Sequence, residues 1–277
     1  MNSQMRAAAF AFDAIAGRFD DRFGGWHSVA AQRRAVRRAL VELFAPGGRI
    51  LEIGGGTGED ARFLAREGYQ VVLTDPSSAM VNAARAKLAP LGGRAEIASA
   101  EDLENIAGRL TENGLAKFDG AFSNFAPLNC VLDLNPVARG LAHMLEPGAP
   151  ALLVLFGTFC PGEMITELAR FRFGQMFRRG QRGPIVARLS ERKFEIVYHR
   201  RAEVKKAFAP WFDFEGSLGI GVTVPPSGAE PWISRYPKIL AGMEAVDRIL
   251  SGPLAVLGDH VLYHFRRNSI TAPQTIE

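Results

Sequence analysis

Between positions 49 and 58 the chain reads Arg-Ile-Leu-Glu-Ile-Gly-Gly-Gly-Thr-Gly, and a helical pattern, Glu59-Asp-Ala-Arg-Phe-Leu-Ala-Arg66, follows at once. Glycines at the end of a short apolar strand permit a tight turn and let the backbone close on a nucleoside-bearing ligand. The helix behind them offers free N–H groups and the positive end of its dipole. The spacing discriminates between ligands. A dinucleotide fingerprint needs Gly-x-Gly-x-x-Gly, yet Glu59 stands where the last glycine would fall. What is present is Glu-x-Gly-x-Gly-x-Gly: Glu52, Gly54, Gly56 and Gly58, with Gly55 inside the loop. The plain alternative is a glycine turn that joins strand to helix and binds nothing. Asp75 is the second chemical group, closing the apolar run Gln70-Val-Val-Leu-Thr-Asp75. In nucleoside-binding α/β sheets an acid there accepts hydrogen bonds from both ribose hydroxyls. Asp75-Pro76-Ser77 could instead do no more than open the next helix.

Glu52-x-Gly54-x-Gly56-x-Gly58 followed by Asp75 resembles the cofactor site of the class I S-adenosylmethionine-dependent methyltransferases, of small-molecule type. The resemblance covers residues 49–156, extends to 10–30, and beyond 158 is limited to the final strand, through Gly258-Asp-His-Val-Leu262. It implies S-adenosyl-L-methionine as cofactor and a small-molecule acceptor. It also implies that Pro76 and Met80 sandwich the adenine, although Met80 could equally fill the core. Family members read Gly-Asp-Ala-Glu after the third strand; here the segment is Ala98-Ser-Ala-Glu101, with Ser99 in place of the Asp. The adenine contact then falls to Ser99, to Glu101 or to the backbone of Ala100. The loop after the fourth strand, including Ser123 and Asn124, is expected to border the reacting methyl, unless its asparagines are turn formers. Phe12-Asp-Ala-Ile-Ala-Gly-Arg-Phe-Asp20 resembles the segment that folds over the cofactor, with Phe19 where Tyr is usual.

Methyl transfer from a sulfonium is an in-line displacement, so positioning supplies much of the acceleration. A base is needed only where the acceptor must lose a proton. Of five histidines, His27 and His199 lie in the covering segments and are the candidate bases, a solvated or packed role being the alternative. His143 fits a helix C-terminus, and His260 and His264 on the last strand read as structural and remote. Cys130 and Cys160 show neither metal-ligand nor disulfide spacing, and no metal is expected. Thr158-Phe-Cys160-Pro lacks the Pro-Cys context of pyrimidine C5 methylation, and no Asp/Asn-Pro-Pro-aromatic loop follows strand four. DNA methylation is therefore not expected.

The elements that must position these groups are legible as Val-, Ile- and Leu-rich runs alternating with helical patterns. Strands are expected at 49–53, 70–74, 95–98, 120–123 and 151–156, with helices at 58–67, 77–88, 101–109 and 136–145. Further on, helices are expected at 163–177, 201–209 and about 230–250. Strand-like segments lie at 194–199, 212–224 and 260–265, and the last ten or so residues look frayed. The fold class is a Rossmann-like, doubly wound α/β sheet of seven strands, the last antiparallel. One domain of 277 residues divides into a helical cap (1–48), a cofactor-binding core (49–157), a substrate lid (158–200) and a completion of the sheet (201–277). No apolar run reaches a membrane span and no signal-peptide layout opens the chain, so a cytoplasmic protein is expected. Its net charge of +4 is uneven: residues 170–206 hold twelve Lys/Arg against three acids, or +9, leaving −5 elsewhere. That segment is expected to select an anionic, partly apolar acceptor, with docking of RNA or protein as the alternative. A third reading is a non-catalytic nucleoside-binding regulator. The arginine face of the 29–44 helix (Arg33, Arg34, Arg37, Arg38) is read as solvated.

Overall fold

Ile50, Leu51 and Ile53 are fully or almost fully buried, as are Val71 to Leu73 and Leu152 to Leu155. Strands apolar on both faces belong in the middle of a parallel sheet covered by helices on each side. A computed structural model, describing residues 3–112, 117–189 and 191–269, has this architecture. In chain order the elements begin with α1 (Ser3–Asp13), α2 (Ala16–Gly24), α3 (His27–Leu43), β1 (Arg49–Ile53), α4 (Glu59–Arg66) and β2 (Gln70–Asp75). There follow α5 (Ser78–Leu88), β3 (Arg94–Ile97), α6 (Leu103–Glu112), β4 (Gly120–Ser123), α7 (Asn135–Met144) and β5 (Pro150–Phe156). The chain continues with α8 (Pro161–Ala169), β6 (Pro184–Leu189), β7 (Arg192–Val197), α9 (Arg201–Phe208), β8 (Phe212–Ile220), α10 (Pro237–Leu250) and β9 (His260–Arg267).

Seven strands form one sheet in the order β3-β2-β1-β4-β5-β9-β8. The first five pair in parallel, while β9 runs antiparallel to both β5 and β8. One face is covered by α3, α4 and α5 through Val36, Leu40, Leu64, Val81 and Ala84. The other is covered by α6, α7 and α9 through Leu103, Val137, Leu141, Val204 and Phe208. Strand order reverses between β1 and β4, and open α/β sheets bind ligands at the carboxyl ends beside such a switch. Among the described residues no helix is long and apolar enough to cross a membrane.

The core follows the expected strands and helices, and the departures in secondary structure lie mainly after β5. The helix expected over 163–177 ends at Ala169. Phe171 adopts φ 56°, and the N–H groups of Phe171 and Arg172 donate to the carbonyls of Leu168 and Glu167. That closure is a Schellman turn with phenylalanine at the left-handed position glycine usually takes. The segment 178–184 leads into a hairpin, β6 with β7, that forms its own two-stranded sheet. The strand expected to reach Val224 stops at Ile220, where Gly221 turns with φ 70°. The helix expected from about 230 starts only at Pro237, after Pro231 has interrupted the backbone donors. The arginine face of α3 is solvated only in part: Arg34 and Arg38 are exposed, Arg34 reaching Glu244, whereas Arg33 and Arg37 are half-buried and bind the Asp60 carboxylate at 3.0 and 2.7 Å. The expected fraying of the last residues concerns positions mostly outside those described.

Candidate active site

The glycine loop leaves β1 at the carboxyl end of the sheet. Its first two N–H groups, of Gly54 and Gly55, donate to the Thr74 carbonyl at 2.7 and 3.1 Å and fix the loop to the end of β2. A Cβ on Gly54 would lie 2.4 Å from Pro127 Cβ, and one on Gly55 2.4 Å from Leu73 Cδ1. At Gly56 an added Cβ meets no protein atom within 4 Å, because that residue faces a cavity of about 740 Å³. Gly58 turns away from it, capping α4 at φ 80° against Ala84.

Asp75 is buried beside this loop. One carboxylate oxygen accepts the Gly56 N–H at 2.9 Å and the other the Ser77 N–H at 2.8 Å. The cap of α5 is Ser77, whose hydroxyl accepts the Met80 N–H, so helix capping does not account for the acid. Each Asp75 oxygen keeps a lone pair in a residue that lines the cavity. Burial pushes its carboxyl up to about 6, against the two N–H donors, which lower it. Glu52 lies deeper, with Oε2 buried and unpartnered. Burial first, and then the Asp60 charge, hold its carboxyl well above the usual range. An orphaned carboxylate oxygen, a ribose-type acid and an open cradle at Gly56 fit a bound nucleoside with a cationic tail.

These placements carry a pH prediction. The Asp75 carboxyl titrates near 6 when folded against an ordinary 3.8. Its contribution to the unliganded fold is thus fully present below 3.8 and lost as pH rises through 6. Ligand hydroxyls need the carboxylate, so affinity runs the other way and should fall about tenfold per unit as pH drops below 6. Calorimetric titration with S-adenosylhomocysteine from pH 5 to 8 checks this; Asp75→Asn should flatten the dependence.

The remaining expected residues divide. Phe19, Pro76, Met80, Ala100 and Asn124 line the cavity with Glu52, Gly54, Gly55, Gly56 and Asp75. Ser99 does not: its hydroxyl donates to Asp102 at 2.7 Å. Glu101 and Ser123 are likewise outside the wall, the Ser123 hydroxyl donating to the Ile53 carbonyl at 2.9 Å. The segment 10–30 does cover the site. Asp13 accepts the Ser77 hydroxyl and the Ala79 N–H, Asp20 accepts the Thr57 hydroxyl, and Phe12, Phe19 and Phe23 face inward.

Both histidines expected as bases miss the cavity. His199 is buried with Nε2 2.8 Å from the Val131 carbonyl, and burial lowers its pKa. His27 sits at the start of α3, outside the cavity wall. His260, read from sequence as remote, is the histidine in the wall. The β9 register puts it opposite Phe156, the last residue of β5. It stacks on that ring, with centroids 4.8 Å apart. The outer half of the cavity is completed by Phe125, Tyr198, Arg170, Arg172, Arg178 and Arg179. Their charge is mostly compensated. Arg178 and Arg179 bind Glu163, Arg179 also binds Asp259, and Arg172 binds Glu167. Five arginines and seven carboxylates line the cavity, so the +9 of residues 170–206 does not reach it as net positive charge. The sequence reading missed these pairs because Glu163 and Asp259 lie outside the basic segment.

Comparison with known proteins agrees with this geometry. A family model described as a methyltransferase domain matches residues 50–148. A demethylmenaquinone methyltransferase of Beutenbergia cavernae is 29% identical over 154 residues, 52% of this chain and 58% of that protein. A protein-L-isoaspartate O-methyltransferase of Methylorubrum extorquens is 51% identical over 55 residues, 19% of this chain and 24% of that protein. The chain thus spans less than two thirds of either curated relative. The solved S-adenosylmethionine-dependent methyltransferase from Mesorhizobium loti has the same fold, with a TM-score of 0.51 at 19% identity over 86% of this chain and 98% of that one. With the strand order, the glycine loop and the matched model in agreement, residues 50–148 are a methyltransferase domain, set in the fold of the class I S-adenosylmethionine-dependent methyltransferases.

Proposed function

We propose that the protein transfers a methyl group from S-adenosylmethionine to a small, partly apolar acceptor held under the 158–200 segment. The observation that carries this reading is one continuous cavity running from the glycine loop and Asp75 to an aromatic outer half. Its volume lies within the roughly 300–1,000 Å³ of small-molecule sites. In this reading Asp75 and Glu52 accept hydrogen bonds from the cofactor, Met80 and Pro76 flank its base, and Ala100 supplies backbone contact. Asn124 borders the methyl; its amide donates to Asp60 at 2.8 Å and its carbonyl accepts the Phe125 N–H. The bound cofactor supplies a methyl group activated on a sulfonium. The chain's own part is to orient the acceptor and exclude water behind Phe12, Phe19, Phe125 and Phe156, and such positioning is worth on the order of 7–11 kcal/mol in favourable cases.

An anionic group on the acceptor would meet Arg170. That residue lines the cavity, donates to the Gly228 carbonyl, and has no carboxylate partner among the described residues. Arg170→Gln should therefore raise the acceptor KM by about tenfold, the loss of one charged hydrogen bond, and leave cofactor affinity unchanged. The likeness to a demethylmenaquinone methyltransferase supports a small-molecule acceptor; the likeness to a protein-L-isoaspartate enzyme keeps a protein acceptor in view. Incubating the purified chain with methyl-labelled S-adenosylmethionine and separated metabolite, RNA and protein fractions distinguishes them. Label in the metabolite fraction is expected. Label confined to RNA or protein would overturn the small-molecule reading, and binding without turnover in any fraction would favour a regulator.

A further inference from the structure

We propose that His260, oriented by Asp259, takes a proton from the acceptor, and that the acceptor is therefore a planar compound methylated on a weakly acidic hydroxyl. This rests on the methyl-transfer reading above and names the substrate class of the same site.

β9 pairs antiparallel with β5, which puts His260 beside Phe156 at the carboxyl end of the parallel strands. Sheet order sets it two strands beyond β4 and three beyond β1, on the outer half of the cavity away from the glycine loop. Its ring is held on two sides, stacked on Phe156 with 25° between the planes and met edge-on by Phe125 at 5.7 Å. Nδ1 is sealed from solvent, has no hydrogen-bond partner, and lies 3.4 Å from Asp259 Oδ2. A proton on Nδ1 faces that carboxylate, so the Nε2 lone pair is what the ring can present to the cavity it lines. Asp259 cannot swing away. It also accepts from Gln32 at 3.0 Å and from Arg179 at 2.6 Å.

The charged groups around the ring keep it ready to accept. Burial lowers the His260 pKa, the Asp259 charge opposes that, and Arg179 adds to the lowering. The imidazole is accordingly neutral near neutral pH. Rival acceptors on this side are largely occupied. Both Glu163 oxygens are taken by Arg178 and Arg179. Glu167 keeps Oε2 buried and free, with Oε1 on Arg172, and serves as the comparison. Flat aromatic walls select a flat acceptor. In the transfer the acceptor O–H bond breaks and its proton goes to Nε2. The oxygen lone pair forms the bond to the methyl carbon, and the pair of the breaking C–S bond stays on sulfur.

The test uses 4-nitrophenol as a chromogenic hydroxyl probe, added to protein saturated with S-adenosylhomocysteine and buffered well below the phenol's own pKa. Wild type is expected to show the yellow phenolate band about tenfold or more above free phenol, since an adjacent imidazolium shifts an acid by a unit or more. No proton should reach the buffer, which calorimetry in two buffers of different ionisation enthalpy reads without any variant. His260→Gln should lose the band while keeping S-adenosylhomocysteine affinity, and Glu167→Gln should keep it. Absence of the band in wild type, its survival in His260→Gln, its loss in Glu167→Gln, or a proton released to buffer would each overturn the inference and leave methyl transfer standing. Failure to bind S-adenosylhomocysteine would instead bring down the reading beneath it.

Discussion

Arg179→Ala is expected to lower the unfolding free energy by about 3–5 kcal/mol, the cost of leaving buried charges without their partner. Arg179 is only 6% exposed. It donates to Glu163, to the Asp259 side chain at 2.6 Å, and to the carbonyls of Asp259 and Gly157 at 2.6 and 3.2 Å. One guanidinium thereby ties α8 to the segments that leave β5 and enter β9. Burial alone would raise the Asp259 carboxyl, but His260 when it is protonated, and Arg179 throughout, hold it below its ordinary value. The stability this acid contributes is present above its ordinary value and lost as pH falls through the depressed one. Urea titration at neutral pH measures the loss directly, and the variant should show a weaker acid dependence than wild type. Arg182→Ala, on an exposed turn, should stay within about 0.5 kcal/mol. If the two variants prove equally mild, the buried network does not hold the 158–200 segment to the sheet.

The second large effect is expected at Gly54. An alanine there would put Cβ 2.4 Å from Pro127 Cβ and 2.6 Å from its Cγ, at φ 65°. Overpacking costs about 1–3 kcal/mol and the left-handed backbone adds about 1–2 kcal/mol, so Gly54→Ala should lose about 2–5 kcal/mol of stability. Gly56→Ala is the informative contrast. It carries the backbone strain alone, because its Cβ meets no protein atom, and should remain folded. Its methyl would project into the cavity, however, and S-adenosylhomocysteine affinity should fall at least about tenfold, as loss of a close backbone approach implies. Thermal unfolding and calorimetry on the two variants separate the roles. A Gly56→Ala protein that binds as well as wild type would mean that the ligand does not touch the loop.

What the sequence made legible was the part governed by local rules. The glycine spacing, the acid at the end of β2 and the strands buried on both faces are short-range patterns, and the sheet follows from them. What it hid depends on long-range register. His260 reads as one more residue of a last strand; only its pairing with Phe156 and the adjacency of Asp259 to Arg179 bring it to the cavity. The arginines of 170–206 read as free charge because their carboxylates lie elsewhere in the chain, at Glu163, Glu167 and Asp259. Likewise Arg33 and Arg37 looked solvated until Asp60 stood between them. The helix ending at Ala169 was overextended because Phe171, not a glycine, takes the left-handed turn. β6 was missed because its alternation is between exposed and half-buried positions rather than polar surface and core.

The central claim, a site for an S-adenosyl cofactor rather than a dinucleotide, is tested most directly by calorimetric titration of the purified chain. S-adenosylmethionine and S-adenosylhomocysteine should bind with one site per chain and NAD should give no heat. Asp75→Ala should weaken both cofactor forms by about 1.5–3 kcal/mol, the scale of hydrogen bonds to a charged group. Binding of NAD without binding of either adenosyl ligand, or an Asp75→Ala protein with undiminished affinity, would contradict the account.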